Sequence, residues 1–391
     1  MRSPYQELID EICALLNAPA TLEGRDFGLI AFGAHDSDDD RVMDPVRTRS
    51  ILRRRSTAAV RAWFEGFGIT RAREPVRIPP DPSAGVRTGR ICLPVRHGGV
   101  VHGYVWLIDD GTFPLDDPRL TEAMEIAGRA GALLAEEARA GSRAGELLRT
   151  LLTAPAGEES ADAAGELADA LGPAAEGPLA LIAVAPWDAT ADLPAPPPGA
   201  LALTALPPGQ RAGAGWALAA LVRPGAARAV AERLVGRPAG SARRAGLSAA
   251  RHEAAELAAA WPEALASVRA AGADDRLGPL ADWASIGPYR LLTALPPQLP
   301  PDPAVAPLLS PEHRELAHTA ETFLDLAGQA TRTAAALGIH RQTLYYRISR
   351  IEHLTGLSLN NGDDRLLLHL ALKTARLRPS TQPPPAGSVP P

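Results

Sequence analysis

Arginine, glutamine, histidine and tyrosine side chains recur at helical spacing in one short stretch near the C-terminus. Residues 331–354 read TRTAAALGIHRQTLYYRISRIEHL, an alanine-rich piece, a glycine, and a longer basic and aromatic piece. Guanidinium and carboxamide groups form paired hydrogen bonds with guanine and adenine, and arginines also bind phosphates. At about 100° per residue, one side of the longer piece carries Gln342, Tyr346, Ser349, Arg350 and His353. These residue types at this spacing indicate contact with nucleic acid.

Two predicted helices must position those side chains. Leu344, Ile348 and Ile351 recur at i, i+4 and i+7 and form an apolar stripe on the longer piece. Gly338 follows the last apolar residue of the shorter piece, where a helix end favours a residue without a Cβ. The apolar side chain of Ile339 is then predicted to pack between the two helices. A short helix, a glycine turn and a second helix with a polar, basic outer face predict a helix-turn-helix.

The pattern predicts nine DNA contacts in this segment. Arg341 and Gln342, at the start of the second helix, are predicted to read guanine and adenine edges. The other seven are predicted to hold the backbone through phosphates or sugars: Arg332, Thr333, His340, Thr343, Tyr346, Arg347 and Arg350. The alternative for any one of them is a merely solvated side chain or, for Arg347, a stem that covers the core. Because one such module rarely binds tightly alone, a homodimer or higher homo-oligomer on paired half-sites of double-stranded DNA is expected.

Composition bounds the rest of the chain. Its 391 residues predict two or three domains, and its two cysteines favour a reducing cytoplasm over a disulfide framework. The net charge of −5 does not indicate a protein that binds nucleic acid. However, residues 331–378 contain eight Lys or Arg against three Asp or Glu, so the C-terminal end is basic. No run reaches the roughly 18 apolar residues of a membrane span, and no signal peptide is recognised. A cytoplasmic, nucleoid-associated location is expected.

Residues 1–140 are predicted to form an α/β domain. Leu8, Ile12, Leu15 and Leu16 predict an amphipathic helix over 4–17, followed by short strands near 19–23 and 27–32. Two β-rich runs around Gly98-Gly99, over 90–96 and 100–108, predict a hairpin. A long helix over 118–152 carries a small-residue seam that predicts either packing on its own domain or a dimer-forming signalling helix. The seam consists of Leu120, Met124, Ala127, Gly131, Leu134 and Ala138.

Charged clusters in this domain do not predict a metal or cofactor site. The acidic run Asp36, Asp38, Asp39 and Asp40 lacks the fixed spacing of a Ca²⁺ loop and is interpreted as solvated. The run 53–55 of three arginines could touch DNA or an anionic ligand, but solvated arginines paired with the acidic loop are favoured. His97 and His102 have no Cys or Glu at ligand spacing. No metal, cofactor or catalytic residue is predicted anywhere in the chain.

Residues 141–303 are predicted to form a second, α+β domain. Strands are predicted from 178, over 201–206 and over 215–222, with helices over 223–235 and 251–271. A phosphate-binding glycine loop, metal-ligand spacing and a nucleophile elbow were each sought without success, so the chain is not predicted to be an enzyme. Prolines at 296–303 form a predicted rigid spacer before the terminal domain.

The C-terminal residues resemble the PucR-type regulators closely. The run AAALGIHRQTLYYRISRIE at 334–352 continues through TGLSL at 355–359 and DRLLLHLAL at 364–372. The run IGPYRLL at 286–292 is similar to the close of the GGDEF-like domain that precedes the DNA-binding end in such regulators. The Gly-Gly-acid-acid-Phe signature is absent, so no cyclase activity is implied. Tyr345 departs from the family pattern, in which a basic residue is usual, and no phosphate contact is predicted there.

The resemblance implies a transcriptional regulator of nearby catabolic genes, controlled by an unknown small-molecule effector. The implied multidomain α+β architecture is a GAF-like α/β sensor over 1–140, a non-catalytic, degenerate GGDEF-like α+β domain over 141–303, and an all-α helix-turn-helix domain over 304–379. A disordered proline-rich tail is expected over 380–391. Two alternatives remain: a nucleotide-binding or nucleotide-cyclising signalling protein that acts through the middle domain, and a sensory protein that acts only through protein contacts.

Overall fold

A computed structural model describes residues 3–33, 58–109, 111, 113–190, 192–207, 215–236, 243–296 and 299–378. The predictions made for the acidic loop, the arginine run at 53–55 and the tail at 380–391 lie outside these residues. The chain divides into two compact units, Met1–Gly141 and Ser142–Pro391. Within the described ranges, no helix combines the length and apolar character required to cross a membrane.

An antiparallel five-stranded sheet forms the centre of the first unit. The strands are β1 (Ala20–Gly24), β2 (Leu29–Phe32), β3 (Val76–Ile78), β4 (Gly89–His97) and β5 (Val100–Asp109), in the order β2-β1-β5-β4-β3. The predicted hairpin is confirmed, because β4 and β5 pair from one end to the other. Gly98 and Gly99 form its turn with φ of +56° and +81°, a backbone region that glycine enters without steric cost.

Helices cover both faces of this sheet. The helices α1 (Pro4–Leu16) and the first part of α3 (Pro118–Thr153) share one apolar cluster with β1, β4 and β5. Within α1 the fully buried stripe is Tyr5, Ile9, Ile12 and Leu16, while the predicted Leu8 and Leu15 are only partly buried. The other face carries an aromatic cluster that the helix α2 (Ala58–Glu65) completes, with Phe27, Phe64, Tyr104 and Trp106 at its centre.

The long helix α3 uses its small-residue seam inside the first unit. Leu120 and Ala127 are buried against the sheet, and Met124 and Leu134 pack on the same cluster. At Gly131 a Cβ would lie 2.5 Å from the Arg96 carbonyl oxygen, so the helix backbone meets β4 directly there. Of the two alternatives for this seam, packing on its own domain is the one that the contacts of residues 120–134 favour. The predicted seam residue Ala138, in contrast, is exposed.

The second unit begins with another five-stranded sheet. Its strands are β6 (Ala180–Trp187), β7 (Ala200–Leu206), β8 (Trp216–Val222), β9 (Arg244–Leu247) and β10 (Leu280–Asp282), in the order β10-β9-β6-β8-β7. Because β8 and β9 are both antiparallel to β6, they are parallel to each other with β6 between them. The helix α5 (Pro224–Val235) joins β8 to β9, which makes a split β-α-β unit, and α6 (Leu257–Ala273) joins β9 to β10.

Both faces of this second sheet are buried, which explains the continuous apolar run of β6. Leu181 and Ala183 face the cluster formed with α6, the end of α3 and the helix α4 (Glu158–Leu171). Ala180, Ile182 and Val184 face α5. The short helix α7 (Tyr289–Leu292) then packs its tyrosine into a smaller cluster beside α6.

Four helices end the described chain: α8 (Arg314–Asp325), α9 (Ala330–Leu337), α10 (Arg341–Thr355) and α11 (Gly362–Arg376). The helices α8, α10 and α11 share a core that contains Leu316, Ala320, Phe323, Ile351, Leu368 and Leu372. Asn361 begins α11, where its side-chain oxygen accepts from the backbone N–H groups of Asp363 and Asp364. The two following aspartates also suit the positive end of the helix dipole. The limit between this helical region and the preceding sheet domain remains a prediction.

Candidate nucleic-acid interface

The helix pair predicted from the sequence is formed by α9 and α10. The helix α9 ends at Gly338, whose φ of +64° and ψ of +31° place it in the left-handed region that glycine favours. The N–H of Ile339 returns to the Ala334 carbonyl at 3.0 Å, a bond that closes a Schellman-type helix end. The chain can therefore turn within two residues and begin α10 at Arg341.

His340 is the N-cap of α10. Its backbone is extended, and its ring Nδ1 accepts a hydrogen bond from the Gln342 backbone N–H at 3.3 Å. A cap of this kind uses Nδ1 as the hydrogen-bond acceptor. His340 therefore helps to fix the start of the helix that carries the predicted base-reading side chains.

The buried side of α10 confirms the predicted apolar stripe. Leu344 and Ile351 are fully buried, and Ile348 packs on the shared core of α8, α10 and α11. The opposite side is open to solvent and carries Arg341, Gln342, Thr343, Tyr345, Tyr346, Ser349, Arg350 and His353. Tyr345 and Tyr346 are 53% and 68% exposed, although large aromatic side chains usually bury most of their surface.

Two exposed arginines each form one hydrogen bond with a neighbouring side chain. Arg341 Nη2 donates to the Tyr345 hydroxyl at 3.4 Å, one helical turn away. Arg332, at the start of α9, donates to the Gln329 side-chain oxygen at 3.2 Å. Both contacts lie at the surface, and both leave further N–H groups of the guanidinium for other acceptors.

Thr333 and Arg347 are placed differently from the sequence prediction. Thr333 is fully buried, and its hydroxyl donates to the Gln329 carbonyl at 2.9 Å. Its predicted DNA contact is therefore corrected, because a side chain without exposed surface cannot reach DNA. Arg347 hydrogen-bonds the Glu315 carboxylate and donates to the Thr319 hydroxyl at 3.2 Å, with 18% of its side chain exposed. It holds α8 against α10, which agrees with the alternative in which its stem covers the core.

A buried charge cluster lies in the same helical region and was missed in the sequence analysis. Lys373, the only lysine of the chain, is 4% exposed, and its Nζ lies 3.2 Å from Glu321 Oε1 and 2.9 Å from Asp325 Oδ1. His369 Nε2 also lies 2.9 Å from Asp325 Oδ1, and Arg376 Nη2 lies 2.5 Å from Glu321 Oε2. The signal available in the sequence was a pair of acids four residues apart facing cations with matching spacing.

Hydrogen bonding keeps the carboxyl group of Asp325 ionised. Burial would raise the pKa of Asp325, but the hydrogen bonds from Lys373 and His369 hold that pKa below its usual range. Among the described residues, no group of three or more His, Cys, Asp or Glu side chains could hold a metal ion. The ion pairs of His369, Lys373 and Arg376 with Glu321 and Asp325 join α11 to α8.

The C-terminal helical region matches known proteins in sequence. Residues 316–374 match the PucR C-terminal helix-turn-helix domain. The carbohydrate diacid regulator of Escherichia coli (strain K12) is 60% identical over 45 residues, which are 12% of each chain. The purine catabolism regulatory protein of Bacillus subtilis (strain 168) is 38% identical over 66 residues, 17% of this chain and 12% of that protein. The matches thus span about an eighth of either relative.

Two solved structures were also compared over longer spans. A regulator of polyketide synthase expression from Bifidobacterium adolescentis aligns with 60% of this chain and 93% of its own, at 18% identity and a TM-score of 0.26. The cofactor-binding GAF domain of the nutrient sensor CodY from Clostridium difficile aligns with 34% of this chain and 84% of its own, at 11% identity and a TM-score of 0.24. TM-scores of this size do not establish a common fold. The sequence match and the helix geometry agree on one region, and residues 316–374 are a PucR-type C-terminal helix-turn-helix domain.

Proposed function

We propose that this chain is a DNA-binding transcriptional regulator of the PucR type that controls catabolic genes. The observation that carries the proposal is the exposed polar and basic face of α10, backed by the buried stripe of Leu344 and Ile351, within the matched domain. A helix held in this way can enter the major groove and bring side chains to base edges. The regulatory names of the two relatives support the same role.

The structure narrows the set of side chains proposed for the DNA. Arg341 and Gln342 are the proposed base readers, because they lie exposed in the first turn of α10. The proposed backbone contacts are Arg332, His340, Thr343, Tyr346 and Arg350, all of them exposed. Thr333 leaves the set because it is buried, and Arg347 is proposed as a positioning residue between α8 and α10.

Substitution of Arg341 by alanine is expected to weaken binding to a preferred duplex by about 1–3 kcal/mol and to relax base preference at one position. Duplexes selected from a random pool by the wild-type chain supply the preferred sequence, and fluorescence anisotropy measures the affinity. Arg314→Ala is the matched control, since it removes another exposed arginine of the same domain from outside α10. Unchanged affinity and unchanged base preference in Arg341→Ala would remove Arg341 from the readers.

Substitution of Arg350 by alanine is expected to act on all duplexes alike. A phosphate contact contributes through release of condensed cations, so its loss lowers the slope of log affinity against log salt by about one unit. The measurement is an anisotropy titration at several salt concentrations with the selected duplex and an unrelated one. A slope equal to that of the wild-type chain would assign Arg350 to solvent instead.

For residues 1–140 we propose a GAF-like sensor of a small-molecule effector. Support comes from the antiparallel order β2-β1-β5-β4-β3, with α1 and α3 on one face of the sheet and α2 on the other. Thermal-shift screening of metabolites against the full chain tests this part of the proposal, because a ligand that binds the folded state raises its melting temperature. A cytoplasmic location and a homodimer on paired half-sites belong to the same proposal.

For the middle sheet domain we propose a non-catalytic, GGDEF-like scaffold. The split β-α-β unit of β8, α5 and β9 around β6 supports this proposal. The competing function is a nucleotide-binding signalling protein, which predicts tight nucleotide binding or turnover and no protection of DNA. Footprinting with the intact protein, with and without nucleotide, distinguishes the two.

A further inference from the structure

A second contact surface of the helix-turn-helix region faces the middle domain of the same chain. Arg276, in the turn after α6, lies 3.1 Å through Nη1 from Asp325 Oδ2 at the end of α8. After α11, Arg378 Nη2 donates to the Leu299 carbonyl at 2.6 Å, and Arg376 Nη1 approaches the Ala273 carbonyl at 3.5 Å. These contacts form the dock, defined here as Arg276, Asp325, Arg376, Leu377 and Arg378 with their partners.

The apolar part of the dock is small. Leu377 packs on a cluster of the middle domain that contains Ile286, Tyr289 and Leu292. In the intact chain Tyr289 of that cluster is 2% exposed, and its hydroxyl donates to Asp274 Oδ2 at 3.4 Å. Among the described residues, Leu377 is the one side chain that the helical region contributes to this cluster, so the apolar contact across the dock is small.

The charges of the dock balance on each side separately. In the middle domain, Arg276 Nη2 pairs with Asp274 Oδ2 at 2.6 Å, and this guanidinium holds the pKa of Asp274 at about 2. In the helical domain, Glu321 and Asp325 are balanced by Lys373 and Arg376. The opening of a buried ion pair is costly when it leaves a buried charge without a partner. Separation of the two domains leaves no such charge.

The ion pair that crosses the boundary is also weak. The Arg276 side chain is 63% exposed, and pairs at such a surface contribute little because water and salt screen them. The dock uses α8 and α11, while the exposed face of α10 stays open to solvent. The dock consequently sets the orientation of α10 relative to the middle domain without covering its exposed face.

We propose that the dock is a releasable joint that sets the orientation of the recognition helix relative to the middle domain. While it is closed, the α10 helices of a dimer are held at one separation and accept one spacing of half-sites. When it is released, each helix-turn-helix domain reads the same half-site but loses its fixed spacing. The proposal rests on the proposed DNA-binding function, and the test below separates the two.

The first measurement is hydrogen exchange on the full chain in the absence of DNA. In Arg378→Ala the hydrogen bond to the Leu299 carbonyl is lost, and in Leu377→Asp a charge replaces the apolar contact of the dock. Both variants are expected to exchange at least about tenfold faster in peptides covering 286–295 and 373–378, as local opening requires. Peptides from α10 should exchange as in the wild-type chain, which distinguishes undocking from unfolding. Arg233→Glu is the control, because it reverses an exposed charge on α5, which contributes no residue to the dock.

The second measurement uses a pool of random-sequence duplexes, selected in parallel with the wild-type chain and each variant. The wild-type chain and Arg233→Glu should enrich a paired motif at one spacing. The two dock variants should enrich the same half-site at scattered spacings. Unchanged exchange in both dock variants would show that these contacts do not hold the two domains together. Faster exchange with the wild-type spacing retained would overturn the orienting role of the dock. If the wild-type chain enriches no motif, the proposed DNA-binding function is wrong. The exchange measurement alone then shows whether the dock contacts hold the two domains together.

Discussion

Replacement of Lys373 by methionine is expected to destabilise the C-terminal helical domain by about 3 kcal/mol, the lower end of the range for breaking a buried ion pair. Methionine keeps most of the volume of the side chain but removes the cation that bridges Glu321 and Asp325. Both acids then lose a partner at a site where Lys373 itself is 4% exposed. The lower end of the range applies because Arg376 still holds Glu321, and His369 and Arg276 still hold Asp325.

Tryptophan fluorescence cannot report this loss, because all six tryptophans lie before residue 284. The measurement is hydrogen exchange of peptides from α8 and α11 at increasing urea concentration, which follows the unfolding of this domain alone. Arg332→Met is the matched control, since it removes an exposed cation of the same domain and should change stability by less than about 0.5 kcal/mol.

The double variant Lys373→Met with Asp325→Asn tests the physical reason for the expected loss. If the cost arises from an uncompensated carboxylate, neutralising Asp325 should recover part of the lost stability. If the double variant is no more stable than Lys373→Met alone, an uncompensated carboxylate at Asp325 is not the source of the cost.

The recognition region was largely predictable because its signals are local. Gly338 marks a helix end by its own conformational freedom, and the stripe of Leu344, Ile348 and Ile351 needs only the helical period. The hairpin β4–β5 is predictable for the same reason, since the Gly98-Gly99 turn brings neighbouring strands together. In each case the partners lie close in sequence.

The errors concern partners that lie far away in sequence. Helical periodicity places Arg347 on a polar side of α10, but it does not reveal that α8 brings Glu315 and Thr319 to that side. For the same reason, the ion cluster of Lys373 could not be located, because Glu321 precedes it by 52 residues. In α1 the buried stripe includes Tyr5 and Ile9, whereas the sequence pattern emphasised Leu8 and Leu15, and the sheet beside α1 decides between the two.

Replacement of Gly246 by alanine is expected to destabilise the middle domain by about 3 kcal/mol, at the upper end of the usual cost of overpacking. Gly246 lies in β9, between Ala183 of β6 and Ala281 of β10, and α6 crosses directly over it. A Cβ at this position would lie 2.2 Å from the Ala264 carbonyl oxygen and 2.4 Å from the Val268 backbone nitrogen. These atoms belong to a helix backbone, so no side-chain rotation can relieve the clash, and α6 must move away from the sheet.

Urea unfolding of the full chain measures this effect, because four of the six tryptophans, Trp187, Trp216, Trp261 and Trp283, lie in the middle domain. Gly165→Ala in α4 is the matched control: a Cβ there meets no atom within 4 Å, and alanine favours a helix interior by about 0.5–1 kcal/mol. The two substitutions are chemically identical and should change stability in opposite directions. Equal stability in the two variants would show that α6 can leave β9 at little cost. The proposal of a rigid scaffold in the middle domain would then lose its physical basis.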